Sequence, residues 1–275
     1  MTQHEAPIGI FDSGVGGLTV AREVFGLLPA EDIVYFGDVG RYPYGGRSKE
    51  IITQFTRQDI ALLLEQQVKF IICACNTASS VALEELRPHY STAMIGVIEP
   101  GARAAAERTR NGRIGVIGTN ATIGSNAYAR VIHELDAKLK VFSLACPLFV
   151  PLAEEGYIDK EATWLIARDY LKTMQDVDVD TLVLGCTHYP LLRHVIQDVM
   201  GEKIELIDSG QETARVALRY LAAQGLLNPT AREAPARAGV HKFFVSDVPE
   251  KFGSIATRFL GRHIENITRV DISEY

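Results

Sequence analysis

The sequence predicts an α/β fold of two pseudo-symmetric domains, each a mostly parallel sheet flanked by helices, with the working site in the cleft between them. Three observations carry this expectation. Short aliphatic runs alternate with longer stretches of helical periodicity, the pattern of βαβ units. The runs are apolar at successive positions, as strands buried on both faces of a parallel sheet are. Two pairs of segments also repeat at nearly equal offsets along the chain.

In chain order, strands are expected at Ile8 to Phe11, Ile33 to Phe36, Phe70 to Cys73, Ala93 to Val97, Ile114 to Ile117, Val141 to Leu144, Thr181 to Leu184 and Ile204 to Ile207. Between them, helical spacing predicts helices such as Lys49 to Gln67, Ser80 to Leu86, Gly101 to Arg108 and Lys160 to Asp176. VKFIICACNTAS aligns with VDTLVLGCTHYP at an offset of 111, which superposes Cys75 on Cys186. IGIFDSG aligns with IGVIGTN at an offset of 106, which superposes Ser13 on Thr119. A duplicated unit follows, its second copy running from near Ile98 to Ile207. In the tail, ETARVALRYLAAQG reads as a helix and NPTAREAPARAGVH as an exposed loop. FFVSD, EKFGSIATRFLG and IENITRV read as strand, helix and strand. A tail folding back on the first copy gives a discontinuous first domain, 1–97 plus 208–275, and a second domain, 98–207.

A chain of 275 residues that is 47% hydrophobic can bury a core and is too apolar to be disordered. It has no run of about eighteen uncharged apolar residues, so no membrane span is expected. MTQHEAPIGIF lacks the basic and apolar regions of a secretory signal, which points to the cytoplasm. With a net charge of −6 and basic residues scattered among acids, nucleic acid and anionic membrane are poor partners. The four cysteines of a chain without an export signal read as reduced thiols.

Two of those thiols carry the chemical expectation. Cys75 and Cys186 occupy matched places, where an apolar strand ends and a polar turn leads to a helix, and ligands bind at such carboxyl ends. A helix N-terminus favours thiolate there. Two equivalent thiols in a shared cleft suit proton removal from one face of a stereocentre and return to the other. A nucleophilic hydrolase needs a single activated nucleophile and an oxyanion site instead. An ordinary thiol, with a pKa of about 8.5, is only a few per cent thiolate at pH 7, so neighbours must assist. Asp12, Asp38 and His188 are placed for that work; Asp12 could equally cap a helix and His188 simply pack in its turn. DSGVGG lacks the lysine of a phosphate loop and the full glycine pattern of a dinucleotide site. Cys73, Cys75, Cys186 and His188 are zinc-binding types, but Cys-x-Cys is not the usual ligand spacing. No cofactor and no metal are expected, and Cys73 and Cys146 read as packing residues. Asp208 to Gly210 reads as a helix cap.

The motifs DSGVGGLTV, FGDVGRYPYG, ACNTAS and GCTHYPLL, in this order and spacing, resemble those of the cofactor-independent glutamate racemases over nearly the whole chain. The resemblance implies that Cys75 and Cys186 interconvert L- and D-glutamate, Cys75 serving the D and Cys186 the L enantiomer. It assigns Asp12, Asp38, Glu154 and His188 to assist the thiols. Substrate contacts carry over to Asp12, Ser13, Tyr44, Gly45, Asn76, Thr77, Thr187 and His188, with hydroxyls added by Thr119 and Thr122 of GTNAT. It further implies a cytoplasmic homodimer that supplies D-glutamate for peptidoglycan. In the family pattern an apolar residue stands where this chain has Cys73. Some members carry a longer N-terminal segment tied to activation by a cell-wall precursor; the seven residues ahead of Ile8 argue against that regulation here. Without an electron sink, neutral donors from Asn, Thr and backbone N–H groups are expected to hold the α-carboxylate. An aspartate racemase and a non-catalytic amino-acid-binding protein using the same cleft are the competing readings.

Overall fold

The computed structural model describes residues 4–229 and 238–275. Among them the strands are β1 (Ile8–Asp12), β2 (Ile33–Gly37), β3 (Phe70–Cys73), β4 (Met94–Gly96), β5 (Arg113–Gly118), β6 (Lys140–Ala145), β7 (Thr181–Gly185), β8 (Glu205–Asp208), β9 (His241–Val245) and β10 (Ile267–Arg269). They pair into two sheets, in the orders β10-β9-β2-β1-β3-β4 and β6-β5-β7-β8, and every pairing is parallel. The arrangement β2-β1-β3-β4 thus recurs as β6-β5-β7-β8, which is the structural counterpart of the sequence repeat.

Burial is deepest at the middle of each sheet, while β9, although paired on both sides, is only partly buried. β1, β2, β3 and β7, each with a strand on both sides, are buried at every position. The edge strand β6 is half-buried to exposed throughout, so the expectation of burial on both faces fails there. Helix Ile98–Arg108 sets Ile98, Ala102 and Ala105 against Ile114, Val116 and Ile207 of the second sheet. Helix Ser209–Ala223 instead sends Ala214, Ala217 and Leu221 into the core around Ile8, Ile10 and Ile33. Phe252, Ala256 and Phe259 of helix Pro249–Leu260 enter the same core, so the tail returns to the first sheet. No helix among the described residues is long and apolar enough to cross a membrane.

Three details depart from expectation. A helix over Asn76–Val81 starts ahead of the expected Ser80, because the Cys75 sulfur accepts the Ala78 N–H and acts as its cap. Cysteine is not among the usual capping residues, so nothing in the sequence ties the expected helix N-terminus near Cys75 to the thiol itself. Asn228, at the head of the expected exposed loop, is buried, with its N–H 2.7 Å from Glu31 Oε1, while 230–237 lie outside the described residues. His241, at the end of that stretch, already belongs to β9.

The turns after β1 and β7 meet almost without space. A Cβ on Gly16 would lie 2.3 Å from Thr187 Oγ1 and 2.5 Å from His188 Cε1. Thr19 Oγ1 donates to the Thr187 carbonyl at 2.9 Å across the same seam. Gly16→Ala should therefore destabilise the protein by about 1–3 kcal/mol through overpacking. Gly26, in helix Leu18–Leu27, has nothing within 4 Å of its absent Cβ, and Gly26→Ala should stabilise by about 0.5–1 kcal/mol. Denaturant midpoints of the two variants check this pair, and shifts of the same sign contradict it.

Candidate active site

The carboxyl ends of the two sheets enclose a cleft of about 420 Å³, the usual place for a ligand in parallel α/β architecture. Cys75, beyond β3 in the first sheet, and Cys186, directly after β7 in the second, both line it. All four cysteines are free thiols and buried. Cys73 and Cys146 share the apolar clusters of Cys75 and Cys186 respectively but do not line the cleft. Among the described residues no three His, Cys, Asp or Glu side chains are grouped to hold a metal ion.

The surroundings of the two lining thiols differ. Cys75 Sγ lies 3.5 Å from Ser13 Oγ and 3.4 Å from the Ala78 N–H donor. Burial pushes this thiol up to about 12, the negative charge of Asp12 adds to the rise, and those hydrogen bonds only partly oppose it. The Ala78 N–H at the helix N-terminus does favour thiolate at Cys75, but desolvation outweighs it. Asp12 itself is not among the lining residues; its Oδ2 accepts the Gly14 N–H at 2.9 Å and its buried Oδ1 has no partner among the described residues. Burial raises its carboxyl, against the opposing influence of His188.

On the other side Cys186 Sγ lies 3.7 Å from His188 Nδ1, and His188 Nε2 lies 2.8 Å from Glu154 Oε1. Burial alone would lower the imidazole, but its bonds to Cys186 and Glu154 outweigh burial and raise it to about 10. Arg258 donates to the Glu154 carbonyl from the returning tail helix. The sequence was least informative at Glu154, and the structure puts it in the wall.

Hydroxyls join the halves at one end. Thr77 Oγ1 and Thr119 Oγ1 are 3.0 Å apart, and Thr122 Oγ1 is 3.0 Å from Thr119, behind the lining. A Cβ on Gly45 would lie 2.9 Å from Thr119 Cβ, so glycine lets the Tyr44 turn close on that hydroxyl cluster. Ser13, Asn76, Asn120 and Thr187 add to the polar wall. Asp38 does not line the cleft. Its Oδ2 takes the Tyr44 hydroxyl and, at 2.6 Å, Arg41 Nε, while Arg41 also reaches Asp59 at 3.1 Å. Arg41, inside the second motif, is thereby turned to structural work, and among the described residues neither Arg nor Lys lines the cleft.

Sequence reasoning missed several contributors. Tyr42 lines the cleft with its ring 6.2 Å from that of His188, although it lies in the same YPYG as Tyr44. Asp59 accepts the Tyr44 hydroxyl at 3.0 Å from mid-helix, where an acid in an amphipathic pattern gives no signal. Pro147, Val150 and Pro151 supply an apolar wall. A second cavity of about 320 Å³, bordered by Glu84, Arg87 and Arg130, contains none of the expected site residues.

A family profile described as Asp/Glu/Hydantoin racemase matches residues 41–217. The chain belongs to this family. A glutamate racemase from Geobacter metallireducens is 50% identical over 265 residues, with 96% of each chain covered. The structure of a Francisella tularensis glutamate racemase in complex with D-glutamate is similar with a TM-score of 0.91 and 36% identity, covering 99% of this chain and 100% of that one. A Thermus thermophilus glutamate racemase in complex with β-chloro-D-alanine gives 0.90 and 44%, covering all of both chains.

The raised imidazole has a measurable consequence. A histidine whose folded value, about 10, exceeds its ordinary 6.5 contributes its full stabilisation below about pH 6.5 and loses it as pH rises through about 10. The thermal advantage of the native protein over His188→Gln should shrink across that interval. An advantage that grows with pH contradicts the bonded imidazolium.

Proposed function

We propose that the protein interconverts L- and D-glutamate by moving a proton at Cα between Cys75 and Cys186, with no added cofactor. The observation that carries this reading is that matched strand ends of a duplicated unit deliver two thiols to one cleft. One sulfur, as thiolate, takes the Cα proton, and the electron pair passes into the α-carboxylate. The other, as thiol, returns a proton to the opposite face. Each turnover leaves the thiol and thiolate exchanged, so the reverse reaction starts from the state the forward one creates.

The site residues take roles that their surroundings support. Asp12 and Ser13 serve Cys75, and His188 held by Glu154 serves Cys186. Asp38 acts through Tyr44, whose turn it braces. Asn76, Thr77, Thr119, Thr187 and the Gly45 turn offer donors for the two carboxylates, with Thr122 ordering Thr119. The thiol pushed up to about 12 suits an empty cleft; the substrate's ammonium brings the positive charge that favours thiolate once glutamate is bound. The halves 1–97 plus 208–275 and 98–207 are the two domains in this reading. The family resemblance supports a cytoplasmic homodimer whose D-glutamate enters peptidoglycan.

Circular dichroism of L-glutamate and then D-glutamate with the purified protein tests the reading. Both signals should decay to zero, and Cys75→Ser and Cys186→Ser should each slow the decay by a factor on the order of 10³. Glutamate that keeps its handedness contradicts the proposal, and decay of aspartate instead would move the activity to the shorter substrate.

A further inference from the structure

Asn76, the residue after Cys75, lines the cleft at 3% exposure, and its buried Nδ2 has no hydrogen-bond partner among the described residues. An amide can present either its oxygen or its two N–H donors to a ligand, and only the second choice suits a carboxylate. The choice is made from the other half of the molecule. Tyr128, in helix Ala127–Leu135, donates its hydroxyl to Asn76 Oδ1 at 2.7 Å. With the oxygen thus occupied, the unpartnered Nδ2 is the amide atom left to bind a ligand.

Tyr128 is well held for this task. A Cβ on Gly185 would lie 3.2 Å from Tyr128 Cε2, and one on Gly101 would lie 3.3 Å from its hydroxyl oxygen, so two glycine backbones flank the ring. Gly185 directly precedes Cys186, and the phenol therefore touches the approaches to both thiols. Burial pushes the phenol well above its ordinary value, which keeps the proton that makes it a donor.

We propose that Tyr128 is a positioning residue: it fixes the Asn76 amide so that Nδ2 donates to the substrate's α-carboxylate while Cα is deprotonated. The proposal rests on the two-thiol reading above. As the Cα–H bond breaks, the carboxylate gains negative charge, so a correctly turned N–H is stronger in the transition state than in the bound ground state. Without the phenol hydroxyl the amide is free to turn, and its oxygen then opposes the developing charge.

Steady-state kinetics of Tyr128→Phe, Asn76→Ala and the double variant, each corrected for its folded fraction, test this. Tyr128→Phe should lower kcat about 10- to 100-fold in both directions with KM for glutamate changed less than about threefold, the pattern of a lost transition-state interaction. It should add nothing further in the Asn76→Ala background. A merely structural contact would lower thermal stability and leave kcat per folded molecule unchanged, and that result overturns the proposal, as does a full additive loss in the double variant. A native enzyme that racemises glutamate beside an unimpaired Tyr128→Phe removes this proposal alone; a native protein that leaves glutamate unchanged removes the racemase reading with it.

Discussion

The close approach of two strand-end turns from two different sheets is the constraint on which the rest of the site depends. Gly16 leaves no room for a side chain against Thr187 and His188, and Gly45 leaves almost none against Thr119. Each contact sets residues of the first sheet's loops against the loop that follows β5 or β7. The thiols inherit their placement from this seam, because Cys75 and Cys186 begin the neighbouring turns. Packing on the core side is equally committed, since the helix after β8 and the tail helix both bury their apolar faces in the first sheet's core. A cleft made by two halves that touch so closely can present groups from both to one small substrate.

The two halves repeat in topology but not in proton chemistry. Cys75 has a serine hydroxyl, a helix N–H and a buried carboxyl around it; Cys186 has an imidazole held by a glutamate. The enantiomers of a free amino acid have equal energy, so kcat/KM must be equal in the two directions whatever the surroundings of each thiol. The asymmetry can therefore appear only in how kcat and KM divide and in which protonation state rests in the empty enzyme. The neutral wall has a similar logic. With Arg41 spent on Asp38 and Asp59, the cleft lining offers hydroxyls and amide N–H groups, and in the proposed reaction such neutral donors stabilise growing charge without fixing the ground-state carboxylate in a strong ion pair.

Much of this was legible in the sequence because it rests on local pattern. The apolar run FIIC became β3 as read, TLVL became β7 with Gly185 added at its end, and the repeat in sequence already superposes Cys75 on Cys186. Asp208 caps helix Ser209–Ala223 through Gly210 and Gln211, as a DSG turn suggests. What escaped depends on partners distant in sequence. The buried Asn228 owes its place to Glu31, the role of Asp59 to Tyr44, and the orientation of Asn76 to Tyr128. The resting state of Cys75 escaped for a related reason: a helix terminus is visible in sequence, whereas the depth of burial that overrides it is not.

The central claim is that two different sulfurs serve the two faces of Cα. Racemisation of L-glutamate in D2O, stopped while little product has formed and read by mass spectrometry on the separated enantiomers, tests it most directly. A returning proton drawn from a second, solvent-exchanged thiol predicts deuterium at Cα of the D-glutamate and almost none in the remaining L-glutamate. Equal early deuterium in both enantiomers would mean that a single base serves both faces, and would contradict the account.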